Sequence, residues 1–108
     1  MDKKNLELLV IEARKNLSET KLEKKTFTKE LIKYVVSILE KIDIKYKIYN
    51  IKTSEGYEHT LMEIGEFIID PSITNFLPKS DRFVYEPGED YPLGINTIEP
   101  IEKDYLCR

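Results

Sequence analysis

Two side chains in this sequence have the types to act as a general base and the carboxylate that orients it: His59 and Asp70. An imidazole titrates near neutrality, and a carboxylate bonded to one ring nitrogen fixes its tautomer and stabilises its charged form. His59 is the single histidine and Cys107 the single cysteine of the chain. One His and one terminal Cys leave only carboxylates as further ligands, so no metal site is indicated. No P-loop, glycine-rich dinucleotide turn or calcium loop occurs, and no cofactor is expected.

Whether His59 and Asp70 can meet depends on the hairpin that carries them. Residues 57–64 and 67–70 read as two strands separated by Gly65-Glu66, a two-residue loop with Gly first that suits a type II′ turn. That loop pairs Ile64 with Phe67, Met62 with Ile69 and Leu61 with Asp70. His59 then shares a face with Asp70 as its diagonal neighbour, about 7–8 Å away and within side-chain reach. A slip of one residue would send the two to opposite faces.

The remaining elements follow from periodicity. Leu6, Leu9, Val10, Ala13 and Leu17 recur at helical spacing over about 3–17, and Ser18 to Lys25 reads as a polar connector. Leu31, Val35, Ile38, Leu39 and Ile42 mark a second amphipathic helix from Thr28 to Ile42. Thr28 is its expected N-cap, Glu30 sits in its first turn, and Phe27 could staple onto Ile32. After Asp43 the period becomes alternating, with Ile44, Tyr46 and Ile48 between lysines, which predicts a strand over 44–51. Thr53 to Gly56 reads as a turn, and four prolines beyond Pro71 break the rest into loops and short edge strands. Helices followed by strands predict one α+β domain over 1–108, two N-terminal helices packed on an antiparallel sheet.

The stretch from Glu58 to Ser72, EHTLMEIGEFIIDPS, resembles a signature of papain-like and transglutaminase-like domains, including small bacterial toxin and effector versions. These carry a His on one strand, a short hairpin, and an apolar-apolar-Asp-Pro-Ser/Thr strand end. The resemblance covers about residues 26–76 and implies a papain-like core, with His59 as general base and Asp70 as its orienting partner. In that family the nucleophile is a cysteine at the start of the preceding helix, a position that falls here near Thr28. A thiol ionises with a pKa of about 8.5, whereas a threonine hydroxyl is far harder to activate, and an internal Thr lacks the free amine that activates catalytic threonines. The family resemblance therefore implies a degenerate site, with Thr28 expected to be only a helix cap.

Charge supports a binding role. Residues 1–53 hold 13 Lys or Arg against 8 Asp or Glu, while residues 54–108 hold 4 against 12. Opposed fields on one small domain suit a charged partner. The basic residues are nearly all lysines, and no aromatic-basic platform for stacking bases is evident, so another protein is the expected partner rather than nucleic acid. Tyr85, Glu86, Glu89, Asp90 and Tyr91 form an acidic, tyrosine-bearing stretch suited to contact it. The expected function is a catalytically degenerate papain-like or transglutaminase-like module that binds or inhibits another protein. One alternative is an active hydrolase or acyl-transferase on protein amides, using Cys107 or an unrecognised nucleophile. Another is an unrelated small acidic α+β inhibitor. Short apolar runs exclude a membrane helix. A lone cysteine and the absence of a signal-peptide pattern place the expected monomer or weak homodimer in the cytoplasm.

Overall fold

The computed structural model describes residues 1–17, 23–86 and 91–107. Two helices, α1 (Lys3–Leu17) and α2 (Lys24–Lys41), precede β1 (Lys47–Thr53), β2 (Glu58–Ile64) and β3 (Phe67–Ile69). A single 3₁₀ turn (Ile73–Asn75), β4 (Val84–Tyr85), β5 (Ile95–Ile101) and a second 3₁₀ turn (Lys103–Cys107) complete the order. The strands form one antiparallel sheet in the order β4-β3-β2-β1-β5. The protein is thus α+β, with both helices packed on the sheet. Most of the connector expected over residues 18–25 lies outside the described residues.

The core lies between the helices and one sheet face. Leu6, Leu9, Val10 and Ala13 of α1 and Leu31, Ile32, Val35 and Leu39 of α2 meet Ile48, Met62, Ile64 and Ile69 from the strands. Alternation sends Ile51, His59 and Leu61 to the opposite face, where they are also buried. The sheet is therefore covered at this end on both sides.

Two elements begin away from their expected positions. The helix expected at Thr28 starts four residues earlier, at Lys24, with Glu23 as its N-cap. Lys24, Lys25 and Thr26 tolerate helix, and Phe27, lying inside the helix, stacks beneath the Arg14 guanidinium at 5.8 Å rather than stapling the entry. The first strand starts at Lys47 rather than Ile44, because 42–44 terminate α2. Asp43 adopts φ +59°, its N–H bonds Glu40 O, and the Ile44 N–H bonds Leu39 O. This is a Schellman ending with Asp where Gly is usual.

Helix α1 reaches the β3–β4 edge of the sheet through polar contacts. The Glu7 carboxylate accepts from the backbone N–H of Phe83 at 2.9 Å and Val84 at 2.7 Å. The Arg14 guanidinium donates to Pro71 O at 2.9 Å and lies 5.0 Å from the Phe83 ring centroid. Both hold the segments that flank Asp70. Glu7→Ala leaves two backbone donors without their acceptor and is expected to cost about 1–3 kcal/mol, read as a lower denaturant midpoint with an unchanged m-value.

Candidate functional site

The β2–β3 hairpin sets the geometry. Gly65 has φ +59° and Glu66 does not have positive φ, the sign pattern of a type II′ turn. Ile64 pairs with Phe67 and Met62 with Ile69, so residues 59 and 70 share the face away from the helices. There His59 Nε2 lies 2.7 Å from Asp70 Oδ1, with the side chains 3% and 0% exposed. A carboxylate only accepts, so Nε2 donates and carries the ring proton. The Tyr91 hydroxyl donates to Asp70 Oδ2, completing both oxygens. Burial, and then the charge of Asp70, drive the Tyr91 hydroxyl far above the ordinary phenol range, which keeps it a donor. Phe76 meets the imidazole edge-on at 4.9 Å between centroids. The pair is fully oriented.

Its second nitrogen, Nδ1, has no hydrogen-bond partner among the described residues, and His59 lines a cleft of about 630 Å³. The start of α2 forms one wall through Lys24, Lys25, Thr28 and Lys29, and the β1–β2 turn forms the other through Glu55, Tyr57 and Glu58. The second 3₁₀ turn brings Tyr105 to the rim, fixed by buried Leu106 and by the Lys103–Glu40 ion pair at 3.0 Å.

Thr28 faces this cleft but is not the expected N-cap. It lies one turn inside α2, and its hydroxyl donates to Lys24 O at 3.0 Å. The same oxygen accepts from Asn75 Nδ2 at 3.1 Å and is 2.7 Å from Ser72 Oγ. With its proton given to Lys24 O, Thr28 accepts from Ser72, so one donor and two lone pairs are all engaged. This oxygen is a bolt between α2 and the 72–75 segment, with no lone pair left for attack. Thr60 is committed as well, donating to Asn50 Oδ1 at 2.6 Å. Cys107 is exposed and does not line the cleft.

The acidic, tyrosine-bearing stretch is placed differently from the sequence expectation. Tyr85 is 3% exposed and donates to Arg82 O, and Tyr91 turns inward to Asp70. Their rings pack edge to face at 5.3 Å, so neither is an exposed anchor. Hydrogen bonds to Asp70 and to Arg82 O outweigh the solvation that an exposed position would offer these hydroxyls. Glu86 is exposed, while Glu89 and Asp90 lie outside the described residues. Tyr91, Phe76 and Asn75 join Ser72 in completing the site without any periodicity or spacing in the sequence that marks them for it. Ser72 alone had a signal, as the residue after Asp-Pro in the family-like strand end. No group of three or more His, Cys, Asp or Glu able to hold a metal occurs among the described residues. No protein-family model, curated protein or solved structure matches the chain.

Thr28→Ala strands buried Ser72 and the Asn75 amide, with an expected loss of about 1–3 kcal/mol that Thr28→Ser recovers in large part. Tyr91 has its folded pKa raised, so the stability it contributes is complete below the unfolded phenol pKa of about 10 and falls as pH rises beyond it. Tyr91→Phe should therefore be less stable than wild type at neutral pH. Above about pH 10 it should lose stability less steeply, by up to about 1.4 kcal/mol per pH unit, as read by denaturant melts across the alkaline range.

Proposed function

We propose that this chain is a catalytically degenerate relative of papain-like and transglutaminase-like domains, kept as a module that binds or inhibits another protein. The observation that carries the reading is an oriented base with nothing to activate. His59 and Asp70 keep the arrangement of a base and its orienting carboxylate. The cleft that His59 lines has no thiol among the described residues, and its two threonine hydroxyls are already engaged. A base without an activated nucleophile gains nothing by covalent catalysis. The order helix, strand, hairpin and Asp-Pro strand end supports the family half of the reading. An active enzyme using Cys107 is less favoured, because that thiol stands outside the cleft.

Peptide-amide substrates assayed with wild type, His59→Ala and Cys107→Ser should show no turnover in any of the three. Turnover abolished in both variants would make Cys107 the nucleophile and overturn the reading. Turnover abolished only by His59→Ala would point to direct activation of water and overturn it equally.

A further inference from the structure

The cleft beside His59 has walls of opposite charge. Lys25 and Lys29 stand four residues apart on α2, and Glu55 and Glu58 flank the β1–β2 turn across from them. Between the walls lie aromatic surfaces. The Tyr57 ring, 58% exposed, packs on Phe76 at 6.1 Å, and Tyr105 lies 4.9 Å beneath the Lys29 ammonium. His59 also lines the cleft, its side chain more than nine-tenths buried and Nδ1 unpartnered among the described residues. Nδ1 keeps access to solvent, so a donor on a ligand can reach it.

Resting on the reading of the chain as a binding module, we propose that this cleft docks a short peptide segment of a partner protein in which an apolar side chain is flanked by one acidic and one basic residue. The ligand's carboxylate meets Lys25 and Lys29, and its cation meets Glu55 and Glu58. Its apolar side chain lies on Tyr57 and Phe76, and one of its N–H or O–H groups donates to His59 Nδ1. Paired opposite walls select against ligands of a single charge sign: a polyanion meets the glutamates and a polycation meets the lysines. Nucleic acid is disfavoured on the same ground. A volume of about 630 Å³ matches a few side chains rather than a globular surface.

The test is titration of the ¹⁵N-labelled intact chain by NMR with acetyl-Asp-Phe-Lys-amide and its reversed sequence, beside the all-acidic acetyl-Asp-Phe-Glu-amide and all-basic acetyl-Lys-Phe-Lys-amide. One of the two mixed peptides should move the His59 ring nitrogens and the amides of Lys25, Lys29 and Tyr57. The single-sign peptides should bind about three- to ten-fold more weakly. Lys25→Glu with Lys29→Glu, or Glu55→Lys with Glu58→Lys, should weaken the mixed peptide to a similar degree. All four changes together should restore affinity for the peptide of opposite direction. These are surface positions, so folding is checked by the same spectra. Absence of shifts in the cleft, or affinities indifferent to the reversals, overturns the docking site. Cleavage of a bound probe supports the docking site while overturning the non-catalytic reading. Absence of both binding and cleavage overturns the docking site alone.

Discussion

Asp70 is a carboxylate with no access to solvent, and much of the chain after β2 is arranged to make that tolerable. An isolated buried charge is prohibitively costly, and one that loses a single partner is costlier than a pair replaced entirely. Here one oxygen takes His59, the other takes Tyr91, and the Asp70 backbone N–H bonds Phe83 O at 2.8 Å. The next carbonyl, that of Pro71, is held by Arg14 of α1, and Glu7 holds the two amides beside the Phe83 contact. The first helix, the β3 exit, the β4 edge and the following loop thus converge on one ionisable side chain.

That convergence separates orientation from reactivity. His59 is fixed on one nitrogen by Asp70 and on its ring edge by Phe76. The segment after Pro71, which turns back to α2, spends its polar groups on Thr28 instead. Ser72 and Asn75 saturate the hydroxyl that stands nearest to the start of the helix on the cleft wall. The network that stabilises the α2–loop junction is the same one that removes a candidate nucleophile.

The charge asymmetry of the chain gains a spatial meaning in the fold. The basic first half and the acidic second half do not form two remote poles. A part of each meets at one cleft, lysines from α2 opposite Glu55 and Glu58 at the β1–β2 turn. Next to β1, β5 leaves a seven-residue edge with Ile98 55% exposed. Pro100 and Glu99 lie in that edge, residue types that discourage pairing with a further strand.

The His59–Asp70 pairing was legible because it rests on local rules. Side chains alternate along a strand, Gly65 permits positive φ, and a two-residue loop fixes the register, so parity over twelve residues follows without knowledge of the rest. The helix stripes and the α+β class were legible for the same reason, since period and element order are properties of neighbouring residues. Element ends were less so. Thr28 has a good capping chemistry, yet the four residues before it extend the helix, and Phe27 and Thr28 make contacts with distant residues from inside it. Tyr85 and Tyr91 carried no pattern that separates an exposed anchor from a buried donor. Only the folded chain brought a hydroxyl 21 residues away onto Asp70. The sequence alone determined which residues share a strand face, because backbone stereochemistry imposes that locally. Tertiary structure decided which polar groups satisfy one another, because burial makes each unpaired donor or acceptor costly and the partners come from wherever the chain returns.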